Sequence, residues 1–439
     1  MDLCHLTAAL SLFRTLFQTF DLRFTRLRYW TPERVAIAML LLVARPELTS
    51  IEKMMPEWAN LFDLPRSPSD STFVEARQKF IKRFPNAMRD LWRQLSTKAT
   101  DLIAPRLRTI GDLQWVAIDG SWVWAPHEAG IIAQYGRPSA GAGRKLHYPQ
   151  FLLVSAIDVL TRVPLAAAVL NHDGSERAGF RSFIDTFQAG MVAMFDRGYP
   201  AKDLIWPLVS RRAHFLWRMG TAEANSWDCV HAFLKDRKKP QDARVTLHLT
   251  PAQTGGEAQD VEVRLIRRVF KRGRPRKGQK REVMVLMTTL LDDTEWPVDR
   301  LIAMYERRWV IEDWHRDVKV HFHLESFHSR SVEGVQQELF ALMAWMALCA
   351  IIERNAFLRV ERSRGPQDPQ DPCRFQISMS NLYCAAARIF VGILKSGDVE
   401  VALAEAEIHL QWLDSTARRR RPGRSRPRKR LAPHGRWNG

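Results

Sequence analysis

At 439 residues the chain is too long for a single hydrophobic core, and a 46% hydrophobic content is enough to build two or three folded units. Its 66 Lys and Arg against 48 Asp and Glu leave a net charge of +18, which draws polyanions and makes nucleic acid the leading partner class. Anionic membrane competes on charge, but the apolar runs Val35–Ala44 and Leu339–Ile352 fall short of the roughly 20 residues that a spanning helix needs.

Residues 1–108 read as helical, with apolar spacing through LTAALSLFRTLFQTF and ERVAIAMLLLVARPEL, and helix starts at Thr31-Pro32-Glu33 and Ser67–Ser71. Basic residues on these helices (Arg23, Arg26, Arg28; Arg77, Lys79, Lys82, Arg83) suit a DNA-binding helical domain, and a merely solvated basic face accounts for them equally well. MDLCHLTAAL lacks the basic lead of a secretory signal. Cys4, Cys229, Cys349, Cys373 and Cys384 show neither CxxC nor Cys/His spacing, which removes zinc fingers and reads as reduced thiols in a cytoplasmic protein.

The pattern changes in 109–210. WVAIDGSWVWA reads as a strand breaking at Asp119-Gly120, FLLVSAIDVLTRVPLAAAVL as two strands joined by a turn at 158–162, and SERAGFRSFIDTFQA as a helix. MVAMFDRGY is again a strand, ending in Asp196. Alternating strands and helices argue an α/β fold that delivers polar residues at strand ends. Residues 211–297 turn β-rich and polar and read as a β insertion, with KRGRPRKGQK as a loop. Helical spacing returns over 298–361, followed by a helical region over 362–417 that opens on the Pro/Asp-rich linker 362–374, and a basic tail over 418–439.

In the helix around YERRWVIEDWHRDVK, the residues Tyr305, Arg308, Glu312 and Lys319 recur at steps of 3, 4 and 7, which stacks them on one face. The opposite face, Trp309, Ile311, Trp314 and Val318, is bulky, so the helix is expected to be buried on more than one side. A carboxylate flanked by cations and a phenol suits phosphodiester chemistry: Glu312 for a metal, Arg308 and Lys319 for phosphate oxygens, Tyr305 for the DNA backbone. Asp119 and Asp196 add two strand-end carboxylates. Hard oxygen donors of this kind suit Mg²⁺, with Mn²⁺ as substitute, and a pair of such ions serves in-line displacement at phosphorus.

The order Asp119, Asp196, Glu312 with DGS, DRGY and Tyr-x2-Arg-x3-Glu-x6-Lys resembles the bacterial insertion-sequence DDE transposases, which move DNA by cut and paste. The resemblance spans roughly 112–352. It implies a ribonuclease-H-like catalytic core interrupted by a β-rich insertion, with Asp119, Asp196 and Glu312 as metal ligands. It implies DNA contacts from Tyr305, Arg308 and Lys319 near the cleaved phosphate. Trp309 is then expected beside a flipped base, with Trp217, Trp227 and Trp296 as further stacking candidates and core packing as the commoner fate of each.

The stretch 264–281 holds ten Lys and Arg, and Arg274-Pro275-Arg276-Lys277 at its centre suits a narrow minor groove. The expected partners are double-stranded DNA, as terminal inverted repeats and target, and a second copy of the chain at synapsis. The expected setting is the bacterial cytoplasm, at the nucleoid. Two other classes compete: a nuclease of the same core fold that cuts without joining, and a DNA-binding protein that has lost catalysis.

Overall fold

The computed structural model describes residues 29–45, 50–103, 109–141, 143–222, 226–238, 240–270, 283–367, 374–396 and 398–419. The expected helix at 6–20, Arg23, Arg26 and Arg28, the loop residues Arg274, Arg276 and Lys277, and the tail beyond 419 lie outside the described residues.

Four helices open the described chain: Pro32–Ala44, Ile51–Leu61, Asp70–Arg83 and Ala87–Leu102. The first starts as its sequence requires, with the Thr31 side chain accepting from Arg34 N and Pro32 in the first turn. Its apolar run Val35–Leu42 is buried throughout. Arg77, expected on a solvent-facing basic surface, is instead buried. It donates to Gln337 Oε1 and the Gly334 carbonyl at 2.7 and 2.8 Å and pairs with Glu338 Oε1 at 2.9 Å. A charge on an amphipathic helix is read as solvated until a partner is known, and here the partner is some 260 residues away.

The centre is a mixed α/β arrangement around one eight-stranded sheet. Its strands are β1 (Gln114–Trp124), β4 (Gln150–Asp158), β5 (Pro164–Leu170), β6 (Met191–Phe195), β7 (His214–Met219), β8 (Asp242–Leu249), β9 (Gln259–Val269) and β10 (Val283–Thr288). A small separate ribbon pairs β2 (Ser139–Gly141) with β3 (Arg144–Lys145). The order is β5-β4-β1-β6-β7-β10-β9-β8. β1 runs antiparallel to β4 and parallel to β6, and β6 runs parallel to β7. The segment read as a β insertion, 211–297, therefore continues the same sheet: its β7 lies parallel beside β6, and β10 docks in turn on β7.

Alternation along the strands gives the sheet two apolar faces. Trp115, Ala117, Phe151, Leu153, Val192 and Met194 pack with the N-terminal helices and the 33-residue helix Val332–Arg364. Val116, Ile118, Val154, Ala193, Phe195 and Trp217 pack with the short helices Glu176–Arg181, Ile205–Val209 and Asp228–Lys235. The Val332–Arg364 helix contains the apolar run 339–352 and extends it. By length and composition it would cross a membrane, yet 94% of its apolar window is buried inside the protein. Helices Met379–Lys395 and Val399–Thr416 complete the C-terminal part.

Two local expectations change. β1 does not break at Asp119-Gly120 but runs on to Trp124, paired with β4 through Trp124 opposite Gln150. The helix expected through 305–319 is two helices, Val298–Glu306 and Val310–Val320, joined by a 3-10 turn at Arg307–Trp309.

Candidate active site

The last registered pair between β1 and β6 is Ala117 with Met194. Two residues further along each strand come Asp119 and Asp196, level with one another where the pairing stops, since β6 ends at Phe195. By the period of two, both aspartates point to the face of Ala117 and Met194. That face is covered by helix Val310–Val320 through Ile311, Trp314 and Val318, and Glu312 lies in its first turn. β1 is also where the sheet changes sense, antiparallel to β4 on one side and parallel to β6 on the other.

Arg308 joins two of the carboxylates. Its Nη2 donates to Glu312 Oε1 at 2.9 Å, and its Nη1 stands 3.8 Å from Asp119 Oδ2. The guanidinium is buried and lies 5.9 Å from the ring centroids of both Tyr305 and Trp309. Burial works against its charge, but Tyr305, Asp119 and Glu312 outweigh burial and hold it cationic. Burial is likewise the main influence on Asp119, raising its carboxyl to about 6; Arg308 and the Gly120 N–H oppose the rise, and Asp196 and Glu312 add to it. The Tyr305 hydroxyl, mostly buried, is pushed up to about 12.

The remaining expected residues spread out. Lys319 donates to the Trp122 carbonyl and lies 3.7 Å from Glu325 Oε1, so its ammonium is engaged further along β1. Trp309 does not join Ile311, Trp314 and Val318 in the core. The 3-10 turn rotates it outward, leaving it 61% exposed beside Arg308. Trp217 and Trp296 are core residues. Trp227 lines a cavity of about 940 Å³ beside the Asp196 loop, together with Arg177, Arg197, Lys202 and Arg218.

One carboxylate of the site has no counterpart in the sequence reading. Glu176 begins helix Glu176–Arg181, and burial together with Asp119 and Asp196 raises its carboxyl to about 7. Its only sequence signal, an acid following Ser175 at a helix start, is that of any first-turn residue favoured by the helix dipole. Among the described residues no three His, Cys, Asp or Glu side chains are close enough as arranged to hold an ion. Between Asp119 and Glu312 it is Arg308 that supplies the positive charge.

Residues 110–349 match the family described as "Transposase DDE domain". The chain is similar to Transposase InsG for insertion sequence element IS4 of Escherichia coli (strain K12), with 24% identity over 284 residues, 62% of this chain. It spans 58% of the length of that relative. A more distant likeness, at 10% identity and a TM-score of 0.44, covers 91% of this chain and 81% of a chain in the cryo-EM structure of the piggyBac transposase synaptic complex with hairpin DNA. The matched domain covers more than half of the sequence and contains Asp119, Asp196 and Glu312, and the chain belongs to the DDE transposase family.

Proposed function

We propose that the protein is a transposase that binds the ends of an insertion sequence and carries out metal-dependent DNA cleavage and strand transfer. The observation that carries this reading is the level placement of Asp119 and Asp196 on adjacent parallel strands, facing the Glu312 helix, with Arg308 between the two sides. In this reading the sheet from β5 through β7 is a ribonuclease-H-like core, the strands after it are its insertion, and the helices over 32–102 grip DNA. Double-stranded DNA, as terminal inverted repeats and as target, is the substrate, and two copies of the chain bring two ends together. The proposed setting is the bacterial cytoplasm.

The donors fit a hard divalent cation, since every candidate ligand is a carboxylate oxygen. The buried Tyr199 hydroxyl, in the loop after Asp196, has no hydrogen-bond partner among the described residues. Asp119, Asp196 and Glu312 would hold Mg²⁺, or Mn²⁺ in its place, as a pair of ions. When bound, the cations activate the attacking water or 3′-hydroxyl and stabilise the leaving oxygen. Arg308 neutralises Glu312 and Asp119 in the free protein, and its remaining donors serve a phosphate oxygen of the bound strand. Tyr305 keeps its proton well above neutral pH and so acts as a hydrogen-bond donor, not as a base. Trp309 offers an exposed aromatic face to a base displaced from the stack. Lys319 ties the Glu312 helix to β1 at Trp122 and fixes the rim on which DNA lies.

The test is Mg²⁺-dependent cleavage of DNA carrying the inverted repeats that flank the coding sequence. Asp119→Asn and Glu312→Gln should abolish cleavage while leaving end binding intact. Cleavage at the parent rate in either variant would refute the assignment. Pre-cut ends that the protein joins to a second duplex distinguish a transposase from a nuclease of the same fold.

A further inference from the structure

Helix Glu176–Arg181 packs on the face of the sheet opposite the Glu312 helix, with Phe180 set among Val116, Ile118 and Phe195. From its first residue the Glu176 side chain reaches toward β1. A Cβ added at Gly120, the residue after Asp119, would lie 2.6 Å from Glu176 Oε1 and 2.7 Å from its Cγ. As placed, the Glu176 side chain fills the space that a side chain at Gly120 would take. On the other side, a Cβ at Gly198 would lie 3.1 Å from Asp196 Oδ1 and 3.8 Å from Glu176 Oε2, so these two carboxylates flank one point. Glu176 therefore sits between the strand that carries Asp119 and the loop that carries Asp196.

A second feature lies in the loop that follows Asp196, where the Tyr199 ring packs 5.0 Å from that of Phe195. Tyr199 is fully buried, yet its hydroxyl has no hydrogen-bond partner among the described residues. Burial above all keeps this hydroxyl protonated, the charges of Glu176, Asp119 and Asp196 add to that effect, and Arg308 opposes it. A buried hydroxyl left without a partner costs free energy unless something at the site completes it. A ligand or its bound water held by these three carboxylates would do so.

We infer that Glu176 is a fourth carboxylate of the metal centre, holding a divalent cation together with Asp119 and Asp196 from the face opposite the Glu312 helix. The inference rests on the metal-dependent reading above. Arg308 pairs directly with Glu312, whereas Asp119, at 3.8 Å from the guanidinium, is held less closely. The cluster is not closed as it stands, and closing it takes side-chain rotation at Glu176, which has three rotatable torsions and starts its helix. The competing role for Glu176 is structural, as filler against Gly120.

Mn²⁺ alone, titrated into the full chain without DNA and followed by the loss of the free-ion electron paramagnetic resonance signal, separates the two roles. Glu176→Gln keeps the shape and an acceptor oxygen but loses the charge, so a structural filler predicts an unchanged titration. A ligand predicts at least tenfold weaker binding, or one ion fewer, in Glu176→Gln, with partial recovery in Glu176→Asp. Circular dichroism and thermal melting establish that each variant is folded. Asp119→Asn is run alongside. If it loses Mn²⁺ while Glu176→Gln binds like the parent, the inference is overturned and the metal-site reading stands. If neither variant alters binding, the metal-site reading falls and takes the inference with it.

Discussion

Asp119→Asn offers a test of the site that needs no DNA. The Asp119 side chain is only 19% exposed, and burial raises its carboxyl from the ordinary 3.8 to about 6. Between these values the folded chain holds a proton that the unfolded chain has released, so stability falls as pH rises through the window. Below about 3.8 both states are protonated and the cost is absent; above about 6 it is complete. At about 1.4 kcal/mol per pH unit the whole cost is roughly 3 kcal/mol. Asparagine stands in for the protonated acid. In EDTA at pH 8 the variant should therefore be more stable than the parent by an amount of that order, and by nothing near pH 4. Urea unfolding at pH 4, 5, 6 and 8 measures the difference, and adding Mn²⁺ at pH 8 should stabilise the parent and leave the variant unmoved. A difference that stays flat across pH, or a variant less stable than the parent at pH 8, would refute the reasoning.

Two further outcomes follow from burial and exposure. Arg77→Leu strips Glu338 of its main counter-charge; Glu338 is 5% exposed and is kept ionised against burial by Arg77 and then His328. Removing one partner of a buried pair costs about 3–5 kcal/mol. Urea unfolding should show a loss of that size, and one below about 1 kcal/mol would mean that Glu338 finds another partner. Trp309→Ala, at an exposed position, should change stability by less than about 0.5 kcal/mol while lowering end cleavage at least tenfold. A large drop in melting temperature would show that Trp309 packs into the fold instead.

Much of this architecture is legible in the sequence where local chemistry decides the outcome. The β4–β5 hairpin is readable because two apolar runs flank the Asp158–Arg162 turn, where the Asp158 carboxylate accepts from Leu160 N and Thr161 N. The strand before Asp196 is readable from a short apolar run that meets Arg197-Gly198. The pair Arg308 and Glu312 is readable because four residues make about one helical turn. What is hidden depends on distant partners. The continuation of β1 through Asp119-Gly120 depends on its ladder with β4, which overrides the local turn tendency of Asp-Gly. The burial of Arg77 depends on Glu338, and the outward Trp309 on a single 3-10 turn inside an otherwise helical pattern. Glu176 is hidden for another reason: one acid at a helix start looks like any other until Gly120 and Gly198 are seen on either side of it.

The single sheet also bears on modularity. β7 is an inner strand, hydrogen-bonded to β6 on one side and β10 on the other. Excising the later strands would turn β7 into a bare edge along Leu216, Trp217 and Met219, a template for pairing with another chain. The strands that lead to Asp119 and Asp196 and the strands beyond them thus share one sheet, and trimming at a loop would leave it with an unpaired edge. Exchanging these later strands between two relatives would have to preserve the β10 edge that docks on β7.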